Sequence, residues 1–129
     1  MPDQQALKNT GTLASDRRRV GGVPEGFDAF LLARAVKSAA RPVVHVARDG
    51  ARSQALAAAL AVAAPDIPVL EFQAWDCVPY DRISPASTVS AARMAALASL
   101  AAGFDRPAVI LTTLNAATQL VPPREAVRA

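Results

Sequence analysis

The sequence is poor in the residues that most often carry chemistry. Its 129 residues include one Cys, one His, one Trp and one Tyr, and aromatic residues make up only 5%. The lone cysteine, Cys77, excludes an internal disulfide and a cysteine-built zinc site. No apolar run approaches the eighteen or so residues of a membrane-spanning helix, and the N-terminus lacks the apolar core of a secretory signal. A cytoplasmic protein with no membrane partner is the expectation. Net charge is +3, and "DRRR" at 16–19 supplies it; without Arg17, Arg18 and Arg19 the balance is near zero. An autonomous DNA-binding domain should instead line one face with basic residues, so these arginines read as a solvated tail. What is abundant is small apolar residues. Hydrophobic residues make up 52%, much of it alanine, which argues against disorder over most of the chain and for alanine-rich helices packed closely on an apolar layer. The length suffices for one domain with one core.

Residues 1–20 are polar and without a clear period, and read as a disordered tail. "GGVPEG" at 21–26 is a loop by its Gly and Pro content. A helix follows to about Ala40, with Phe27, Phe30 and Leu31 on one face and Leu32, Ala35 and Val36 widening it. "PVVHVA" (42–47), "VLEFQA" (69–74) and "AVILTT" (108–113) are three short strands. Between the first two lies a helix with Leu56, Ala59, Leu60 and Ala63 at helical spacing. Between the last two lies a helix from about Thr88 to Ala102, with Met94, Leu97, Ala101 and Phe104 on one side and Ser87 or Thr88 as its cap. A short helix, "LNAATQL", ends at "VPPR". Strands separated by helices imply parallel pairing, and near-continuous apolar strands imply a sheet covered on both faces. The fold class is α/β, a three-layer parallel sheet flanked by helices over residues 21–125, with a short tail at 126–129. Three strands are few for such a sheet, so the domain reads as part of a larger one.

Ligands of parallel sheets bind beyond the carboxyl ends of the strands. Here those ends carry "RDG" (48–50), "WDCVPYD" (75–81) and "TTLN" (112–115). His45, between Val44 and Val46, reads as a buried, hydrogen-bonded strand residue. Cys77 lacks a nearby base that would make it a nucleophile. Asp76 and Asp81 are too few for a metal and suit a turn in which carboxylates accept backbone N–H bonds. Pro79 and Pro85 stiffen that turn, and Trp75 and Tyr80 are large anchors for it. A phosphate-binding loop reads G-x-x-x-x-G-K followed by Ser or Thr. "GGVPEGFDAF" has Gly22 and Gly26 and opens a helix, but Phe27 and Asp28 stand where Gly-Lys is required. An aspartate there repels a triphosphate, so no nucleotide cofactor is expected at this loop.

The stretch "FQAWDCVPYDRISPASTVSAARMAALASL" followed by "AVILTTLNAATQLVPPR" resembles the N-terminal region of bacterial transcription-repair coupling factor. The shared pattern is a strand, then W-D/E-x-x-P-Y-D-x-x-S-P, a helix with an S-x-R-x-x-x-L core, a strand ending near T-x-N-A, and Q-x-V-P-P. Trp75, Asp76, Pro79, Tyr80, Asp81, Ser84, Pro85, Ser90, Arg93, Leu97, Asn115, Ala116, Gln119, Val121 and Pro122 match it. The resemblance spans about residues 22–125. That region is in turn similar to the first domain of excinuclease B, a helicase-like P-loop fold, and "GVPEGFDAFLLARAV" occupies the place of its nucleotide loop.

The resemblance implies a degenerate P-loop NTPase-like fragment that is not an enzyme by itself and needs no cofactor. It implies a parent chain that is an ATP- and Mg-dependent DNA translocase, which displaces RNA polymerase stalled at lesions and recruits excinuclease A through an adjacent module. The segment would be a scaffold whose domain is completed by a later segment. Surface candidates are Trp75, Asp76, Tyr80, Asp81 and Arg82. Two rivals are a working nucleotide-binding domain of the excinuclease B type, and a nucleic-acid module using Arg17, Arg18, Arg19, Arg48 and Arg52, with salt-dependent DNA affinity.

Overall fold

A computed structural model describes residues 19–77, 82 and 84–128. The elements run α1 (Phe27–Ala39), β1 (Val43–Ala47), α2 (Gly50–Ala63), β2 (Val69–Phe72), α3 (Ser87–Ala102), β3 (Val109–Thr113), α4 (Leu114–Thr118) and α5 (Arg124–Arg128). The strands form one parallel sheet in the order β1-β3-β2, with Val43 and Val69 both in register with Val109. The fold is α/β, with helices on both faces of the sheet.

Side chains alternate across a strand, so each face has its own core. On one face, Val109 and Leu111 pack against Ala29, Ala33 and Val36 of α1 and Leu56 and Leu60 of α2. On the other, Phe72 packs with Ala96 and Ala116, flanked by Leu70, Ala74 and Leu97. Each fully buried leucine among Leu56, Leu60 and Leu111 contributes about 2 kcal/mol. Thr112 is buried within the second face, and its Oγ1 donates to the Phe72 carbonyl at 2.9 Å, tying β3 to the end of β2.

The local signals for these elements are specific. Asp49 caps α2, its Oδ1 accepting from the Arg52 N–H at 2.8 Å. Thr113 caps α4 in the same way, from the Ala116 N–H at 3.3 Å. Gly26 precedes α1 at φ 87, a conformation that costs a residue with a Cβ.

Several expectations change. On α1 the buried face is Ala29, Ala33 and Val36, while Phe27 and Phe30 stack on each other at 5.8 Å, both more than half exposed. A helix lying close on a sheet presents its small residues, and the phenylalanines are displaced outward. On α3 the buried residues are Arg93, Ala96 and Ala101, and Met94 is exposed. Neither Ser87 nor Thr88 caps α3; its N-cap is Ala86, with no side-chain cap of its own. The sheet is not covered everywhere. Val44 and Val46 on β1 are 59% and 50% exposed, because α3 lies over β2 and leaves that part of the face bare. A further helix, α5, follows "VPP". Arg124 and Arg128 both donate to the Ala101 carbonyl near the end of α3, with bonds of 2.9 to 3.3 Å.

Candidate functional site

Three features collect the candidate residues at one end of the sheet. The first is the loop before α1. Its helix N-terminus favours negative charge, and Asp28 supplies that charge from the first turn. Arg52 reaches across from α2, donating from Nη2 to Asp28 Oδ2 at 2.7 Å and from Nη1 to Glu25 Oε1 at 2.9 Å. The other Asp28 oxygen is buried without a hydrogen-bond partner among the described residues. The loop before α1 is thus bridged to α2 by ion pairs within the chain. His45, on the same side of the sheet, is half-buried rather than buried. It makes no hydrogen bond among the described residues. Burial pulls its pKa below the ordinary value, Asp28 raises it and Arg52 adds to the lowering.

The second feature is the turn after β2. Arg93, 1% exposed, inserts its guanidinium between the rings of Phe72 and Trp75, 4.3 and 4.7 Å from their centroids. Its Nη1 donates to the Gln73 carbonyl at 2.6 Å, while Nε is buried without a partner among the described residues. Stacking an arginine on two aromatic faces offsets part of its desolvation. The Trp75 N–H donates to Gln119 Oε1 at 3.0 Å, joining the turn to the segment after α4. Asp76 accepts from the Ala86 N–H with both oxygens, at 3.3 Å each. It thereby ties the turn to the residue that precedes α3, without taking the place of the side-chain cap expected of Ser87 or Thr88. Asp76 and Arg82 are exposed, and Cys77 is half-buried with Trp75 and Pro85 beside a hollow that Leu120 borders. Tyr80, Asp81 and Pro79 lie outside the described residues, as do Arg17 and Arg18.

The third is a crevice of about 320 Å³ beyond the strand ends. Arg48, Asp49, Gly50, Ser53 and Gln54 border it after β1, Glu71, Gln73 and Ala74 at the end of β2, and Thr113 and Asn115 after β3, over a floor that includes Leu111. Arg48 Nε is bound to Asp49 Oδ2 at 3.0 Å. The Arg52 N–H and the Arg48 side chain together hold the Asp49 carboxyl below its ordinary pKa.

The structure thus brings Trp75 and Asp76 together with Arg93, which sequence reasoning left unread as a structural anchor. Its signal was a charged residue on the apolar stripe of α3, beside Ala96 and Leu97. Arg48 and Arg52, grouped above as phosphate contacts, are each already paired with a carboxylate. Among the described residues no cluster of His, Cys, Asp and Glu is arranged to hold a metal, and no helix is long and apolar enough to cross a membrane. No protein-family model matches the chain, and no curated protein matches it.

Proposed function

We propose that this chain is the N-terminal scaffold segment of a bacterial transcription-repair coupling factor, a cytoplasmic protein. The observation that carries the reading is the Arg93 node. The residues of the resembling pattern do one structural job together: Arg93 stacks between Phe72 and Trp75, Gln119 receives the Trp75 N–H, and Asp76 receives the Ala86 N–H ahead of α3. A pattern kept for such a node belongs to a scaffold more than to a reaction. The loop at Gly22, Gly26, Phe27 and Asp28 then stands as a degenerate P-loop, its ligand replaced by Arg52 and two carboxylates. The open flank of β1, with Val44 and Val46 bare, suits a sheet completed by another segment of the parent chain.

In this reading the segment catalyses nothing. ATP, Mg, DNA and RNA polymerase belong to the parent translocase, and excinuclease A docks on the adjacent module. The test is strand-specific repair in cells whose parent protein carries Trp75→Ala and Arg93→Ala together. Lesions in the transcribed strand should be removed no faster than those in the other strand. Unchanged repair of the transcribed strand by a normally abundant variant protein sinks the proposal. A thermal melt with millimolar Mg-ATP addresses the nucleotide-binding alternative: a saturable rise in Tm means that nucleotide binds the native state, and an unmoved cooperative melt supports the scaffold.

A further inference from the structure

The crevice beyond the strand ends has no part in the scaffold role. The side chains of Ser53, Gln54, Gln73 and Asn115 make no hydrogen bond to protein among the described residues, and Glu71 is in no ion pair there. Ser53 is buried and borders the cavity. Leu111 lies fully buried beneath the cavity, and Ala74 is the cavity's half-buried apolar surface. An apolar floor ringed by uncommitted neutral hydrogen-bonding groups, at the strand ends of a parallel sheet, is the arrangement that holds a small polar molecule in such folds. The volume of about 320 Å³ is at the small end of ligand sites, which span roughly 300–1,000 Å³.

Charge narrows the class. Asp49 is the N-cap of α2 and accepts the Arg52 N–H, so a carboxylate already stands at the helix end that would attract a phosphate. Glu71 stands on the opposite wall. The cation on this rim, Arg48, is tied to Asp49. A phosphate entering here would meet two carboxylates against one compensated guanidinium. Glu71 is suited instead to vicinal hydroxyls, because a carboxylate at the end of a strand can accept both hydrogens of a ribose diol.

We propose that the crevice binds an uncharged ribonucleoside, with the sugar diol on Glu71, the base against Ala74, and Ser53 and Asn115 at the base edge. The proposal is independent of the segment's role in repair. Adenosine is the probe, added to the 129-residue chain and followed by saturation-transfer NMR and by the shift in Tm. Adenosine should saturate at millimolar concentration and bind more tightly than AMP. Glu71→Gln should weaken it by about tenfold, the loss expected for hydrogen bonds to a charged group. 2′-Deoxyadenosine should show the same loss on the unsubstituted chain and little further loss on Glu71→Gln. Glu71 is exposed, so this variant should keep its fold; Asn115→Ala, also at the surface, provides a second reading with about fivefold weakening. The proposal is overturned by no saturable adenosine binding, by AMP binding as tightly as adenosine, or by affinity that neither substitution changes.

Discussion

Strands β1 and β2 flank β3 in the same register, yet different forces hold the two flanks. On the β2 side, α3 covers the sheet and Arg93 is buried between two aromatic rings. On the β1 side the same face is bare at Val44 and Val46. There α1 and α2 are joined at their outer ends by ion pairs that reach solvent: Arg52 with Glu25 and Asp28, and Lys37 with Asp66 at 3.1 Å. The strands differ in protection too. β2 carries Glu71, a charge that discourages edge pairing, whereas "VVHVA" carries no charged side chain. The β2 flank is packed under α3, whereas the β1 flank is packed under α1 and α2 on one face, carries its ion pairs at the rim, and leaves its other face bare and its strand edge unguarded.

The sharpest test of the contrast is Arg93→Ala, which removes a buried side chain and both ring contacts. It should cost about 3 kcal/mol in urea unfolding, and Arg93→Met should recover part of that by refilling the space. A loss under about 1 kcal/mol would make the two flanks alike. Arg52→Ala should cost about 1 kcal/mol at low salt, discounted for a partly exposed pair. In about 1 M salt its effect should shrink towards nothing, because screening acts within a few ångströms, while that of Arg93→Ala persists. Salt-independent loss at Arg52 would put that ion pair in the same class as Arg93.

His45 gives the β1 side a pH response. Its folded pKa lies below the ordinary 6.5 because burial disfavours the charged ring. As pH falls below 6.5 the unfolded chain takes up the proton first. Stability is therefore full above that pH, declines on acidification, and levels off once the folded-state pKa is passed. Urea midpoints between neutral and mildly acidic pH should show this decline, and His45→Asn should remove it. The smallest effect is expected from Val44→Thr with Val46→Thr, within about 0.5 kcal/mol in urea unfolding, since these side chains are half in water already. The pair should, however, lower any concentration-dependent association in sedimentation. A loss as large as that of a core substitution would mean the face is covered.

Much of this architecture was legible in the sequence, and the failures have physical causes. "VVHVA", "VLEF" and "VILTT" stand out as short apolar runs shortly after a Pro, and their alternation with helices implied parallel pairing. Their order, β1-β3-β2, was not implied, because pairing is decided by contacts far apart in sequence. On α1, hydrophobicity ranks phenylalanine above alanine, whereas close packing on a sheet selects alanine. At the site, Trp75 and Asp76 announced themselves by rarity and position, and Asp76 does accept a backbone N–H. Arg93 was masked by its charge, and Arg52 with Asp28 by a separation of two dozen residues. Glu71 and Ser53 became a pair of walls only once β3 was inserted between β1 and β2.

Trp75 is the sole tryptophan, and its ring lies against the Arg93 guanidinium. The molecule therefore contains one intrinsic indole fluorophore, placed wholly on the packed flank. Its emission will report the opening of β2 and α3 and will be nearly blind to fraying of α1 and β1, whose secondary structure circular dichroism still counts. If the two signals fall together on heating, the sheet melts as one cooperative unit. If dichroism falls first, the β1 flank is a separate, weaker unit of folding, already loose at temperatures where the fluorescence still looks native.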